Sequence, residues 1–195
     1  MPLIYFVRHG ETDWNAERRF QGQLETPINA KGREQAARNG GLLREHLGDA
    51  ATRFDFVASP QVRTRQTMEI IRGAMDLSPE DYRTDDRLRE VHAGNWQSHI
   101  WTDLPTLFPA DMAAYDQDYW NTVPSGQGAE SQAMLYARVC AWFAAVERDT
   151  VVVSHGGPMR CIRRYVLGLD DAATRALRVP QDQVLCIRDS ALSWL

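Results

Sequence analysis

Two apolar runs in this sequence each end in a histidine that is followed by glycine. Arg8 and His9 follow the run at residues 4–7, and His155 follows the run at residues 151–153. A histidine can act as a nucleophile, a base or a hydrogen-bond donor, and arginine presents a planar fork that matches phosphate or carboxylate. One such histidine is usually a structural residue, because short motifs often arise by chance. Two at the same edge of one sheet predict a shared pocket for an anion.

The elements that must position these side chains are strands. Residues 4–7 are aromatic and branched, which favours a buried strand, and the three valines at 151–153 indicate a strand buried on both faces, as in a parallel sheet. Ligands of open α/β folds bind at the C-terminal edge of such strands. Pro158 predicts the start of a helix that ends near Gly168, and the N-terminus of that helix would favour negative charge.

A third candidate for anion binding follows another predicted strand, at residues 54–58. Pro60 fits the first turn of the helix that comes next, and Arg63 and Arg65 lie in that turn or just after it. An arginine near a helix start can hold an anion. A solvated surface cation is an equally good interpretation of either arginine.

The remaining pattern predicts helices and irregular segments around these strands. Asn29 caps a predicted helix over Ala30–Leu47, and a second helix spans about 134–146, where Arg138 on the apolar face is interpreted as a snorkelling side chain. Residues 12–22 form a long loop, of the kind that is usually functional. Residues 83–91 are charged and irregular, and 88–96 are a loop or a short edge strand. Final strands are expected at 185–187 and 191–195.

Composition places the chain among ordinary globular proteins. It has 195 residues, with 44% hydrophobic and 25% charged residues, enough for one domain with a small inserted subdomain. The net charge of −4 argues against nucleic acid and anionic membranes as partners. Cys140, Cys161 and Cys186 lack metal-binding spacing and are interpreted as small buried hydrophobes in a reducing compartment. With no signal pattern and no membrane-spanning run, a cytoplasmic protein is expected.

Six blocks of the sequence, in order, resemble those of the histidine phosphatase superfamily, which has the phosphoglycerate-mutase-like fold. The blocks are RHGETDWN at 8–15; RFQG at 19–22 with PI at 27–28 and Gly32; SPQVRTRQT at 59–67; LRE at 88–90 with GNW at 94–96; GAES at 128–131; and SHGG at 154–157. The resemblance implies one α/β domain over 1–195, with three αβα layers, a mostly parallel central sheet and a small helical cap at about 96–128.

The resemblance also implies roles for individual residues. His9 would be the nucleophile that becomes phosphohistidine, and Glu90 the general acid and then the base that activates water. The transferring phosphoryl oxygens would be held by Arg8, Arg63 and His155. The phosphate and substrate side would be lined by Asn15, Gln21, Gly22 and Gly156. Arginines would carry the charge, so no metal and no other cofactor is expected.

Departures from the family pattern favour hydrolysis over isomerisation. Ala93 stands where the mutases of the family have tyrosine, and Arg138 is the only cation between Asn95 and Glu147. A mutase needs cations there for a second phosphate. The expected protein is therefore an acid-type histidine phosphatase that hydrolyses a small-molecule phosphate ester with one phosphate on a small, ring-bearing alcohol.

The cap is acidic and aromatic, and its aromatic side chains either contact the substrate or pack the cap itself. They are Trp96, Trp101, Phe108, Tyr115, Tyr119 and Trp120. One or two short helices are expected between residues 101 and 120. The alternatives in function are a cofactor-dependent phosphoglycerate mutase, a non-catalytic module that binds a phosphorylated ligand, and a metallohydrolase. A homodimer is compatible with the sequence.

Overall fold

The computed structural model describes residues 2–195, which fold around one six-stranded sheet. The strands lie in the order β3-β2-β4-β1-β5-β6. Their bounds are Ile4–Arg8 (β1), Asp55–Ala58 (β2), Arg83–Thr84 (β3), Thr150–Ser154 (β4), Val184–Arg188 (β5) and Ala191–Trp194 (β6). The first four strands of that order pair in parallel, and β5 and β6 are antiparallel. The expected mostly parallel sheet is confirmed.

Alternate residues of β1 point to opposite faces of the sheet, and each face is covered by helices. Ile4 and Phe6 pack against one cluster of buried side chains, while Tyr5 and Val7 pack against another. The first cluster includes side chains from the helices Gln132–Ala144 (α6) and Gly156–Leu167 (α7). The second includes side chains from Ala30–Leu47 (α2) and Val62–Ala74 (α3). The chain therefore has the three αβα layers expected.

The helices largely follow the sequence pattern. Asn29 caps α2, its side chain accepting a hydrogen bond from the amide of Gly32, and α7 ends at Gly168 in the left-handed conformation. Pro60 was expected inside the first turn of α3, but that helix begins at Val62 and Gln61 is its N-cap residue. Among the described residues, no helix is both long enough and apolar enough to cross a membrane.

Three short elements were not predicted, because each has too few residues to show a period. They are Asp13–Ala16 (α1), inside the expected loop, the helix Asp171–Ala176 (α8), and the strand β3 within the segment expected to be irregular.

The cap contains two short helices, Leu104–Leu107 (α4) and Pro109–Gln117 (α5), as expected. Trp96 and Phe108 pack into the small apolar core of the cap with Leu104 and Met112. Some aromatic residues of this segment therefore pack the cap itself. Others, namely Trp101, Tyr115 and Tyr119, line the cavity described below.

The three cysteines differ in burial. Cys161 is buried in the core against the sheet, as expected, whereas Cys140 and Cys186 are only half-buried. All three are free thiols.

Two glycines let the loop after β1 lie directly on the start of α2. A Cβ atom on Gly10 would overlap the carbonyl group of Gly32, and a Cβ atom on Gly32 would overlap the backbone of Glu11. The amide of Asn29 donates to the carbonyl of Glu11 at 2.8 Å, which holds the same contact. The backbone after His9 is therefore positioned by helix α2.

We predict that Gly32→Ala destabilises the protein by about 2 kcal/mol, because the added methyl group forces the loop and the helix apart. Gly41→Ala, in the same helix, is the matched control. A Cβ atom there meets nothing within 4 Å, so alanine should stabilise the helix by about 0.5–1 kcal/mol. Urea unfolding of both variants checks this. Equal effects of the two substitutions would contradict the proposed contact.

Candidate active site

The pairing of β1 with β4 brings the two sequence histidines together. Arg8 lies opposite Ser154 in the parallel register, and the amide of His9 donates to the carbonyl of Ser154 at 2.8 Å. The rings of His9 and His155 are 5.2 Å apart between centroids. Both side chains are buried at the C-terminal edge of the sheet, where the strand pattern predicted them.

The hydrogen bonds of His9 determine its tautomer. Its Nδ1 lies 2.8 Å from the carbonyl oxygen of Gly10, which can only accept, so Nδ1 carries the proton. The lone pair is then on Nε2. Burial, followed by the positive charges of Arg63 and Arg8, lowers the pKa of His9 well below its ordinary value. His9 is thus a neutral imidazole with a free nitrogen, as a nucleophile requires.

Arg8 and Arg63 are buried cations beside His9. Burial lowers the pKa of each guanidinium to about 10. Their terminal nitrogens donate to backbone carbonyls: Arg8 to that of Val179 at 2.8 Å, and Arg63 to that of Gly22 at 2.8 Å. The Nε atoms of both are buried and have no hydrogen-bond partner among residues 2–195. Such groups are stabilised by an anion that accepts their hydrogen bonds.

His155 is held by Ser59. Its Nε2 lies 2.8 Å from the hydroxyl oxygen of Ser59, while its Nδ1 is buried with no hydrogen-bond partner in the described part of the chain. Burial, with the charges of Arg63 and the neighbouring groups, lowers the pKa of His155 well below its ordinary value. When the Ser59 hydroxyl donates to Nε2, the proton is on Nδ1, and His155 can then donate one hydrogen bond to an anion.

Glu90 is fixed at both carboxylate oxygens. Oε1 accepts from the amide of Val91 at 3.0 Å, and Oε2 accepts from the amide of Gly157, in the first turn of α7, at 3.2 Å. A Cβ atom on Gly157 would overlap Oε1, so only glycine leaves room for this carboxylate. Gln61, which we had not assigned to the site, accepts from the amide of Glu90 at 2.9 Å.

Arg138 is no snorkelling side chain, and that expectation was wrong. Its guanidinium turns inward and donates to the carbonyls of Arg87, Arg89 and Glu90 at 2.6–2.9 Å. It also forms a double hydrogen bond with Glu130, at 2.8 Å for each nitrogen. The periodicity of α6 shows where Arg138 lies on the helix but cannot show that carbonyl groups of a distant loop face it.

The residues expected on the substrate side lie in the loops close to His9. Asn15 and Gln21 are joined to the loop after β1 and to Thr26, respectively, by hydrogen bonds. Gly22 adopts φ of +52° and turns its carbonyl toward Arg63. Gln181, which sequence reasoning missed, donates to the carbonyl of His9 at 3.0 Å and to Asn15 at 3.2 Å.

A cavity of about 360 Å³ opens above His9. Of the expected site residues, it is lined by Arg8, His9, Asn15, Gln21, Gly22, Arg63 and Glu90. His155 and Gly156 are not among the lining residues, although the ring of His155 is 5.2 Å from that of His9 between centroids and Gly157 does line the cavity. The aromatic residues that face the cavity are Phe20, Trp101, Tyr115 and Tyr119.

The walls also carry cations that sequence reasoning missed. The expectation of a single phosphate rested on the lack of cations other than Arg138 within residues 95–147. That premise does not describe the cavity, because the fold brings arginines to it from outside that segment: Arg18, Arg19, Arg160 and Arg175. No local sequence pattern could show that arginines near both ends of the chain line the same cavity as residues of the cap.

The family model of the histidine phosphatase superfamily (branch 1) matches residues 4–190. The chain belongs to this superfamily. The chain is 33% identical, over 207 aligned residues, to a protein of Salmonella paratyphi C named as a probable phosphoglycerate mutase, with coverage of 100% of this chain and 88% of the relative.

Known structures of similar fold include two phosphatases. A mycobacterial glucosyl-3-phosphoglycerate phosphatase, in complex with VO3, is 26% identical, with a TM-score of 0.76 and coverage of 100% and 95% of the two chains. The alpha-ribazole phosphatase of Shigella flexneri is 21% identical, with a TM-score of 0.80 and coverage of 98% and 93%, and shows the shared fold. The superfamily and these neighbours indicate a phosphatase or a mutase.

Within residues 2–195, no group of three or more histidine, cysteine, aspartate or glutamate side chains could hold a metal ion. The positive charge of the cavity is supplied by arginine guanidinium groups.

The buried histidines predict how stability depends on pH. In the unfolded chain a histidine takes up a proton near pH 6.5, but folded His9 takes it up only at much lower pH because its pKa is lowered. The stability that His9 contributes is therefore fully present above about pH 6.5, the pKa of the unfolded chain, and is lost progressively as pH falls below it. His9→Asn should make the fall in unfolding free energy between pH 6 and 5 shallower, by roughly 1 kcal/mol per pH unit.

Urea unfolding at several pH values measures this slope. His46→Asn, which replaces an exposed histidine of α2, is the matched control and should keep the wild-type slope. A wild-type slope in His9→Asn would mean that folded His9 titrates normally.

We predict that Arg138→Met destabilises the protein by on the order of 3 kcal/mol, because it leaves Glu130 and three carbonyls without their partner. Turnover should fall as well, since the loop that carries Glu90 loses its anchor. Arg148→Met, at an exposed arginine with one backbone hydrogen bond, is the control and should cost less than about 1 kcal/mol. Similar losses in the two variants would show that the Arg138 network does not hold the loop.

Proposed function

We propose that this histidine phosphatase is a metal-independent phosphomonoesterase that works through a phosphohistidine at His9. The observation that supports this most directly is the neutral His9, with its free Nε2, beside two buried guanidinium groups whose Nε atoms lack hydrogen-bond partners among the described residues. A nucleophile and an anion clamp thus meet at the base of one cavity. The substrate is a small-molecule phosphate ester.

In the first step, the lone pair of His9 Nε2 attacks phosphorus, and the bond between phosphorus and the ester oxygen breaks. The leaving oxygen takes a proton from the Glu90 carboxyl group, so that an alcohol departs. The carbonyl of Gly10 keeps its hydrogen bond to Nδ1, which stabilises the positive charge that the ring gains.

In the second step, Glu90 takes a proton from water, whose oxygen attacks phosphorus. The bond between phosphorus and Nε2 breaks, its electron pair returns to the imidazole, and phosphate leaves. In both steps, negative charge lies on the phosphoryl oxygens, where Arg8, Arg63 and the Nδ1 proton of His155 are the donors. Asn15, Gln21, Gly22 and Gly156 complete the phosphate and substrate side.

Hydrolysis is favoured over isomerisation by the aromatic walls. Phe20, Trp101, Tyr115 and Tyr119 line the cavity, and such surfaces contact rings or apolar groups. A three-carbon phosphorylated acid offers neither. The leaving alcohol is therefore expected to carry a ring.

A phosphoglycerate mutase is the second candidate. It is supported by the 33% identity to the Salmonella protein of that name and by the additional arginines of the cavity, which would suit a bisphosphorylated intermediate. The two candidates share the first step and differ in whether water or a second hydroxyl group receives the phosphoryl group.

The test measures phosphate release from a panel of sugar, nucleoside, glycerate and aryl phosphates in excess chelator. His9→Ala should lose on the order of a thousandfold or more in turnover, because the nucleophile is gone, and His46→Ala should keep wild-type turnover. Acid-labile label on the wild type, absent from His9→Ala, would identify the intermediate.

Other outcomes would reject the hydrolase. Conversion of 3-phosphoglycerate to its 2-isomer without phosphate release would establish the mutase. Vanadate binding with no labelling of His9 would indicate a binding module, and loss of turnover on chelation would indicate a metallohydrolase.

A further inference from the structure

The cavity above His9 holds more positive charge than one phosphate needs. Six arginines and one carboxylate, Glu90, line it, although the chain as a whole has a net charge of −4. Arg8 and Arg63 suffice for the phosphoryl group that His9 attacks. Arg19 is neutralised by Glu17 at 2.9 Å. The excess charge therefore lies on Arg18, Arg160 and Arg175. Of these, Arg160 and Arg175 both act on Tyr115 and Tyr119.

Arg160 extends from α7 into the cavity beside Arg8. Its Nε donates to the carbonyl of Leu177 at 3.2 Å, and within residues 2–195 neither terminal nitrogen has a hydrogen-bond partner. A Cβ atom on Gly156 would lie 3.6 Å from Arg8 Nε and 3.7 Å from Arg160 Nη1. Two guanidinium groups thus flank the same glycine. Among residues 2–195, no carboxylate lies within ion-pair distance of Arg160.

Arg175 reaches the cavity from α8 and lies against two tyrosines, Tyr115 of α5 and Tyr119 just after the end of that helix. Its guanidinium carbon is 5.1 Å from the ring centroid of Tyr115 and 5.2 Å from that of Tyr119. No carboxylate of the described chain pairs with it either. Burial raises the pKa of both phenols, and the charges of Arg160 and Arg175 counteract that rise. The two cations therefore act on the same two rings.

We infer that the substrate carries a second anionic group, a carboxylate or a phosphate, which binds to Arg160 and Arg175 beside Tyr115 and Tyr119. Arg160 and Arg175 both act on the same two tyrosines, and an anion bound beside those rings offsets the repulsion between the two like charges. Guanidinium groups bind both anions through paired hydrogen bonds. The tyrosine rings pack against the part of the leaving alcohol that joins the two anionic groups. This inference rests on the proposed function for the position of the scissile phosphate.

A structural role for Arg175 makes a different prediction. If its contacts with Tyr115 and Tyr119 only hold α5 against α8, removing Arg175 would weaken the turnover of every substrate by the same factor. A binding role changes the preference between a charged and a neutral substrate. The ratio of two kcat/KM values therefore separates the two roles.

The test compares aryl phosphates that differ only in this second group. The 3- and 4-carboxyphenyl phosphates are measured against the corresponding carbamoylphenyl phosphates, which are neutral and of the same size. Phenylene bisphosphate tests phosphate as the second anionic group. The wild type should prefer the anionic esters by on the order of tenfold or more in kcat/KM, the effect of one hydrogen bond to a charged group.

The variants assign this preference to residues. Arg160→Gln and Arg175→Gln should each reduce the ratio, and the double variant should bring it close to one, while Arg175→Lys should restore part of it. Arg38→Gln is the matched control for the change in net charge, since Arg38 is exposed on α2, and it should keep the wild-type ratio. Thermal unfolding of each variant shows that it is folded.

Each outcome decides the inference. A preference for carboxylate or for bisphosphate that is lost in the two arginine variants supports it and identifies the anion. Equal kcat/KM values for charged and neutral esters in the wild type would overturn it while leaving the hydrolase intact, and so would a preference that the arginine variants retain.

If no ester is hydrolysed, the proposed function fails, and the same comparison is made by calorimetry with carboxybenzyl and carbamoylbenzyl phosphonates. Tighter binding of the carboxylated phosphonate, lost in the double variant, would then support the second anion site. Equal binding of the two phosphonates would overturn it.

Discussion

Five residues of β1 pair in parallel with five residues of β4, and this register places Arg8 opposite Ser154. The histidine after each strand then emerges at the same height on the same edge of the sheet. A shift of one residue would turn every side chain of one strand to the opposite face. That shift would remove Ile4 and Phe6 from one packed cluster and Tyr5 and Val7 from the other. The core thus enforces the distance between His9 and His155.

The site at this edge of the sheet contains two buried guanidinium groups, those of Arg8 and Arg63. Arg8 and Arg63 lose hydration, which lowers the pKa of each to about 10. The fold offsets this cost with carbonyl oxygens, those of Val179 for Arg8 and of Gly22 and Leu24 for Arg63. These acceptors hold each guanidinium in place without neutralising it. The charge is left for a phosphoryl group, and the site is organised before the ligand arrives.

Glu90 has to approach this cluster from a loop without regular structure. It is held by the amide of Gly157 at the start of α7, by Gln61 beside α3, and by Arg138 of α6. Elements from both sides of the sheet thus fix one carboxylate, which links its position to the integrity of the whole fold. The cap is held through its own small apolar core, against which Phe20 packs.

The sequence by itself determined the main strands, the helices α2, α6 and α7, and the candidates His9, His155, Arg63 and Glu90. Periodic burial, helix caps and strand ends are local properties that the sequence shows directly. The six family blocks, in order, predicted the three-layer fold and the roles of the site residues. Short elements such as β3 and α8 could not be predicted, because two to six residues show no period.

Only the tertiary structure decided the roles of side chains whose partners are distant in the chain. Gln61, Arg138 and Gln181 act on backbone groups 29 to 172 positions away, and Arg160 and Arg175 reach a cavity whose cap lies some 50 residues earlier. A local pattern records which face of an element is apolar. It does not show which distant residues that face contacts, because those contacts depend on the order of all six strands in the sheet.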